Sequence, residues 1–195
     1  MKRAMFLRTH FRLFGISLIV ALAALEPQPG QALPPQPVVS FVFPAGAQQG
    51  KTIEATINGK DLQNATGVRI TGPGVECKIV QVVGPNAVRI SLAVAPDAEL
   101  GERELRLITP GGISNRVRFI LGALPEINEV EPNTDPAKPQ MLAALPILIN
   151  GQVLERDRDY FRFAAKKGQT IVFSVQARTL VAYLPDTVPG TTVNR

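Results

Sequence analysis

Short apolar runs that alternate with polar residues dominate positions 38–122 of the chain. In the run that starts at Thr52, Ile53, Ala55 and Ile57 alternate with polar residues. This alternation is typical of strands with one face on a core and the other in water. The other runs are Val38 to Phe43, Val68 with Ile70, Cys77 with Ile79, Val88 to Val94, Leu105 with Leu107, and Val117 to Leu121. The pattern predicts about seven strands, the number that suits an all-β sandwich.

Glycine, proline and asparagine clusters separate these runs. Glycine permits positive φ, and proline in a turn does not interrupt a strand ladder. We therefore predict turns at four clusters, which are Asn58-Gly59, Gly72-Pro73-Gly74, Gly84-Pro85-Asn86 and Pro110-Gly111-Gly112.

The first 32 residues have the order of an export signal. Basic residues at positions 2, 3, 8 and 12 precede an uncharged apolar run from Leu13 to Leu25, and a small-residue exit ends at Ala32. The apolar run is shorter than the roughly 20 residues that a helix needs to cross a bilayer. We predict a signal peptide over residues 1–32, cleavage after Ala32, and a secreted or cell-surface product with no membrane span after cleavage.

Cleavage would change the charge balance. The whole chain carries a formal net charge of +5, but four of its 21 basic residues and one of its 16 acids lie in the first 32 residues. The remaining 17 basic residues are interleaved with 15 acids, which gives +2 and no basic stripe. The sequence therefore predicts no nucleic-acid binding.

The content of nucleophiles and bases argues against catalysis. The only histidine, His10, lies in the predicted signal, and Cys77 is the only cysteine. A Ser-His-Asp or Cys-His system would lack its base, a His/Cys zinc site its ligands, and an intramolecular disulfide its second cysteine. Strand alternation predicts that Cys77 faces the core with Ile79 as an inert thiol.

Carboxylates could offer another route to catalysis. Glu155, Asp157 and Asp159 could supply a general acid and base for glycoside hydrolysis. Such a site needs aromatic sugar platforms in a cleft, and the chain has no tryptophan and two tyrosines. We expect a polar turn before a strand, and no enzyme activity.

Residues 36–122 resemble a known family. The string Phe43-Pro44-Ala45-Gly46 through Thr52, the later Ile57-Asn58-Gly59-Lys60-Asp61-Leu62, and the closing Gly111-Gly112-Ile113-Ser114-Asn115 resemble an IPT/TIG immunoglobulin-like domain in order and spacing. The resemblance implies an immunoglobulin-like β-sandwich over residues 33–122.

Residues 123–146 contain five prolines and several acids, and we predict a Pro-rich acidic linker. Its core, Glu129-Val130-Glu131-Pro132-Asn133, resembles the opening of the bacterial pre-peptidase C-terminal domain. The strands that follow in that family are similar to three later strings, which are Ile149-Asn150-Gly151-Gln152-Val153, Asp157-Arg158-Asp159-Tyr160-Phe161-Arg162-Phe163 and Lys167-Gly168-Gln169-Thr170-Ile171. The alternation of Ile171, Phe173 and Val175 with polar or opposite-facing residues predicts a further strand. The resemblance implies a jelly-roll-like β-sandwich, and it fades after Ala177. We therefore expect residues 147–195 to form only a partial, incomplete domain.

Oxygen-bearing side chains cluster in this second segment. Some relatives of the pre-peptidase domain bind calcium through the linker and the following turn, and carboxylate and amide oxygens are the ligands that calcium prefers. The resemblance implies a candidate calcium site, and the available residues are Glu129, Glu131, Asn133, Asp135, Asp157 and Asp159. The spacing is not that of an EF-hand, and acid-rich linkers are commonly just hydrated.

Two functions remain open on these grounds. The first is a non-catalytic secreted or cell-surface module that binds an extracellular polymer or protein or serves as a structural spacer. The second is a detached accessory piece of a secreted peptidase, which would act as a folding or targeting aid. A β-sandwich without catalytic residues normally binds its partners through loops and edge strands. The two modules also resemble parts of large secreted bacterial proteins, and both functions are consistent with these two points.

Overall fold

A computed structural model describes residues 33–153 and 157–176. The predicted signal over residues 1–32, Glu155, and the last residues from position 177 lie outside the described residues. The described residues belong to one compact unit.

The described residues form strands and connecting turns, with no helix, which confirms the all-β prediction. None of them forms a helix long and apolar enough to cross a membrane. The strands are β1 (Val38–Phe43), β2 (Gly46–Gln48), β3 (Thr52–Lys60), β4 (Gly67–Ile70), β5 (Val75–Gly84), β6 (Ala87–Val94), β7 (Gly101–Thr109), β8 (Gly112–Ile113), β9 (Val117–Gly122), β10 (Glu126–Asn128), β11 (Gln140–Met141), β12 (Leu148–Asn150) and β13 (Phe161–Arg162).

Two sheets build the first part of the chain. One sheet has the order β1-β3-β6-β5, and all its pairs are antiparallel. The other has the order β2-β9-β7-β4, with β8 paired to β7, and its β2–β9 pair is parallel. The chain thus passes from the first sheet to the second between β1 and β2, so both sheets share the same N-terminal run.

The apolar faces of the two sheets supply one core. Every second residue of β6 is buried, from Val88 to Val94, and β7 and β9 show the same alternation. Phe119 is the largest fully buried side chain, and Ile57, Leu62, Leu105 and others are fully buried beside it. The buried cluster spans Val39 to Leu121, so its members come from both sheets. This is the arrangement of a β-sandwich.

The Asn58-Gly59 turn is not present, and that prediction is wrong. β3 continues through Lys60, and Gly59 pairs with Val39 of β1. A Cβ on Gly59 would lie 2.0 Å from the carbonyl oxygen of Val38. Glycine is required here because the neighbouring backbone approaches closely, not because the chain turns. The turns at the other three clusters lie between strands, as predicted.

Two polar residues after β8 join the sheets. The Ser114 hydroxyl is buried, accepts a hydrogen bond from the Leu107 N–H at 2.9 Å and donates to the Asn115 carbonyl at 2.7 Å. The Asn115 side chain in turn accepts from the Val39 N–H at 2.8 Å and donates to the Val39 carbonyl at 2.9 Å. Asn115 therefore satisfies the backbone of β1 where its register with β3 shifts.

The segment after β9 is built differently. β10 pairs with β12, and β11 pairs with β13, in two short parallel ladders. The predicted linker thus contains strands. Residues 171–176 form no strand, contrary to the alternation of Ile171, Phe173 and Val175, and Phe173 and Val175 are 75% and 87% exposed. The Phe163 and Phe173 rings touch, with centroids 5.9 Å apart, but no second sheet covers them within the described residues.

The location of the core predicts which leucines matter for stability. Leu105 is fully buried, whereas Leu100, five residues earlier, is 47% exposed. We expect Leu105→Ala to lower the free energy of unfolding by about 2–5 kcal/mol, because it removes buried methyl groups and leaves a cavity. Leu100→Ala, the matched control, should cost no more than about 1 kcal/mol. Urea denaturation followed by circular dichroism measures both, and equal losses would contradict this assignment of the core.

Candidate metal centre

Two parallel ladders bring distant acids together in the second segment. Glu129 follows β10 directly, and its N–H donates to the Asn150 carbonyl at 2.9 Å, which extends the pairing with β12. Asp159 precedes β13, and the N–H of the next residue, Tyr160, donates to the Asn133 carbonyl at 3.1 Å. These backbone contacts place Asp159 beside the turn that contains Glu131 and Asn133.

Three carboxylates converge at this point. One oxygen each from Glu129, Glu131 and Asp159 lies within 4.8 Å of the other two. Like charges at such distances repel, so the group is unfavourable when all three are ionised and nothing neutralises them. All three residues belong to the predicted calcium set, and they come from segments about 30 residues apart in the chain.

The loop after β12 fixes Glu129. One carboxylate oxygen, Oε1, accepts a hydrogen bond from the Gln152 N–H. The other, Oε2, lies so close to Gly151 that a Cβ there would be 2.7 Å away. A side chain at position 151 would therefore displace the carboxylate. The sequence predicted no role in the site for Gly151 and Gln152, although both lie in the string that resembles a strand of the pre-peptidase domain.

The turn after Glu131 is fixed by its own carboxylate. Glu131 Oε2 accepts from the Asn133 N–H at 2.9 Å. Asn133 is 1% exposed, so its side chain is fully buried. Among the described residues it is the most deeply buried polar side chain of the second segment.

Several polar atoms here are buried without a hydrogen-bond partner. They are both side-chain polar atoms of Asn133, one oxygen of Asp159 and Oε2 of Glu129. A buried polar group that forms no hydrogen bond costs about 1–3 kcal/mol, and a charged group costs more. Four such atoms in one small region call for a compensating partner. A bound cation would provide one for the oxygens.

Burial and mutual repulsion raise the pKa of two of these acids. Desolvation is the main cause of the raised pKa of Glu129, the hydrogen bond from Gln152 opposes it, and the charges of Asp159, Glu131 and Asp157 add to it. Desolvation is also the main cause of the raised pKa of Asp159, and the charges of Asp157 and Glu131 raise that pKa further. A cation that neutralised the cluster would reverse these effects.

The remaining predicted ligands lie differently. Asp135 is exposed, and its side-chain oxygen accepts from the Ala137 N–H at 2.8 Å, which closes a local turn. An oxygen of Asp157 accepts from the Arg158 N–H at 2.9 Å, and its charge acts on the cluster from outside the group of three. The structure therefore brings together Glu129, Glu131 and Asp159, with Asn133 adjacent, and does not bring Asp135 to them.

The donor set determines which ions fit. Carboxylate and amide oxygens suit hard cations, and calcium accepts six to eight of them in flexible geometry. The group of three contains no nitrogen or sulfur donor, which disfavours zinc and copper. The residues present thus fit calcium better than a transition metal.

Comparisons with known proteins add no family to this description. No protein-family model matches the chain, and no curated protein matches it significantly. The likeness to immunoglobulin-like and pre-peptidase domains therefore stays a prediction.

The raised pKa values predict how pH affects this segment when calcium is chelated. A carboxyl whose pKa is higher in the folded state binds its proton more tightly there, so stability falls as pH rises through and above the ordinary carboxyl range. Both tyrosines, Tyr160 and Tyr183, lie in the second segment, and the chain has no tryptophan. Tyrosine fluorescence in thermal unfolding should therefore show a lower midpoint at pH 7 than at pH 5.

Asp159→Asn supplies the control for that measurement. It removes one repelling charge at nearly constant volume, so the difference between the two midpoints should shrink. A midpoint that rises from pH 5 to pH 7 in chelator would contradict the proposed origin of the pKa shifts.

Proposed function

We propose that this chain is a non-catalytic, secreted or cell-surface module of bacterial type, which binds extracellular material through its sandwich and whose second segment is held together by a calcium ion. The observation that carries the calcium part is the convergence of Glu129, Glu131 and Asp159 beside the buried side chain of Asn133, whose two polar atoms have no hydrogen-bond partner. The binding part is supported by the all-β architecture and by a sequence whose only histidine, His10, lies in the predicted signal.

Calcium would act here on structure rather than on chemistry. It would offset the repulsion among three carboxylates, and the oxygens that are otherwise buried without partners would coordinate it. The residues that would hold it are Glu129 and Glu131, in the turn after β10, and Asp159, two residues before β13. Because these elements have almost no apolar core of their own, a shared ion would contribute much of their cohesion.

The single thiol, Cys77, does not suggest a catalytic role either. Cys77 is half-buried and packs against the core with Ile79. Burial raises the pKa of the Cys77 thiol to about 12, so the nucleophilic thiolate is scarce at neutral pH. Together with the position of His10 in the predicted signal, this supports a binding module over an enzyme.

We expect calcium to bind the purified full chain and magnesium to bind it more weakly, because magnesium demands a rigid octahedral shell. Isothermal titration calorimetry after treatment with chelator measures both ions. Glu129→Gln and Asp159→Asn should each weaken calcium binding by about tenfold or more, since each removes a charged ligand (about 1.4 kcal/mol per tenfold). Failure of calcium to bind at millimolar concentration would refute the site.

Asp135→Asn is the matched control for these variants. It also replaces an acid of the second segment by its amide, but Asp135 closes its own turn and does not reach the group of three. Its calcium affinity should stay within about threefold of the parent. An equal loss in all three variants would indicate general electrostatic attraction rather than a defined site.

The binding role predicts retention on extracellular material. Purified chain should sediment with insoluble cell-wall and exopolysaccharide fractions of the producing cells, while a β-sandwich protein of similar charge from an unrelated source stays in the supernatant. Pelleting followed by quantitative immunoblotting measures the bound share. Equal distribution of the two proteins would contradict a binding role, and turnover of the polymer, lost in Asp159→Asn, would contradict a non-catalytic one.

A further inference from the structure

The outer edge of β5 is the longest open strand edge in the described part of the chain. β5 runs for ten residues at the end of its sheet, paired on one side with β6. No other described strand pairs with its outer side. An open edge of this length offers backbone donors and acceptors to another strand.

The pairing with β6 shows which residues offer them. The Ala95 N–H donates to the Gly74 carbonyl at 2.8 Å, and the register continues with Val75 opposite Val94. In an antiparallel ladder, alternate residues turn their N–H and C=O groups to the same side. Since Gly74 faces β6, the backbone groups of Val75, Cys77 and Ile79 face outward.

The regular part of this edge is short and symmetric. Pairing of β5 with β6 is continuous from Val75 to Ile79, and the register first shifts between Ile79 and Gln81. The centre of the regular part is Cys77. A two-fold axis at Cys77 would set Val75 of one copy opposite Ile79 of a second copy, with outward backbone groups aligned for hydrogen bonding.

The charges on this edge complement themselves about the same axis. Glu76 and Lys78 lie on one face of β5, form an ion pair at 3.5 Å, and have side chains that are 77% and 78% exposed. In the symmetric pairing, Glu76 of each copy would lie opposite Lys78 of the other. Opposite charges at directly facing positions stabilise a strand pair, and like charges destabilise it.

We propose that two copies of this chain associate edge to edge through β5, antiparallel and with the two-fold axis at Cys77, to form one continuous sheet. The half-buried Val75, Cys77 and Ile79 would extend the core-facing surface of the sheet across the junction. The register shifts after Ile79 and after Val82 end the pairing. The contact is small, so the dimer is weak and depends on concentration.

The charge pattern selects a second copy over an unrelated strand. A peptide would need its own acid and base at matching positions, whereas the second copy supplies both by symmetry. A lysine normally protects an open edge from association. Here the facing glutamate of the second copy neutralises Lys78, so the protection does not apply to self-pairing.

Two charge reversals test the proposal in a complementary way. Glu76→Lys gives a chain with two bases on the edge, and Lys78→Glu gives a chain with two acids. Sedimentation velocity over a range of concentrations should show a dimer for the parent chain and at least about tenfold weaker self-association for each variant. An equimolar mixture of the two variants should form the dimer again, because every facing pair is then opposite in sign.

Glu102→Lys is the control. Glu102 lies on β7 in the other sheet and is also an exposed acid, so its reversal should leave the dimer unchanged. Circular dichroism checks that each variant keeps its strands, as expected for side chains that are more than half exposed. A parent chain that stays monomeric at millimolar concentration would overturn the proposal. The proposal would also be overturned by a dimer that neither reversal weakens, or by a mixture of the two variants that fails to associate. Binding of an unrelated strand at this edge in place of a second copy would overturn it as well.

Discussion

Burial of apolar side chains between two sheets is the constraint on which the rest of the molecule depends. The buried cluster begins at Val39 and ends at Leu121. Among the described residues beyond that point, Leu142 is the only buried hydrophobic side chain. The sandwich can therefore offset the entropy of ordering its chain by hydrophobic burial, and the described part of the segment that follows cannot do so in the same way.

The second segment depends on polar contacts instead. Its two ladders have only two or three residues in each strand, a length at which isolated strand pairs are marginal. Glu126 packs at the start of one ladder, where Asn150 donates to its carboxylate at 3.0 Å and burial raises its pKa. A Cβ on Gly122 would lie 3.4 Å from that carboxylate, so the first residue of the ladder lies close to the end of β9. The acid cluster begins three residues later, at Glu129. Any ion that binds there acts on a strand already attached to the sandwich.

The sequence predicted the sandwich well because its signal is local. Strict alternation, as in Val88 to Val94, reports which face is buried, and β6 has these bounds within one residue. The turn predicted at Gly59 was wrong for a non-local reason. Glycine is needed at this position because the backbone of Val38, which is distant in sequence, lies too close for a side chain. The alternation at Ile171 to Val175 predicted a strand that is not formed, because no described strand lies where it could pair. Periodicity reports a preference for an extended chain, but a strand also needs a neighbour.

The candidate metal centre shows the same difference between what neighbouring residues predict and what depends on contacts between distant residues. Composition and resemblance identified six oxygen-bearing residues, but they could not rank them, because ranking depends on the backbone contacts that join Asn133 to Tyr160 and Glu129 to Asn150. Those contacts select Glu129, Glu131 and Asp159 and leave Asp135 in its own turn. The sequence did not predict a role for Gly151 in the site, because a glycine in such a string ordinarily indicates a turn. Its role becomes visible only when the carboxylate of Glu129 occupies the space that a side chain would need. A site assembled from short ladders is thus determined less by its acidic residues than by the small residues that let them approach one another.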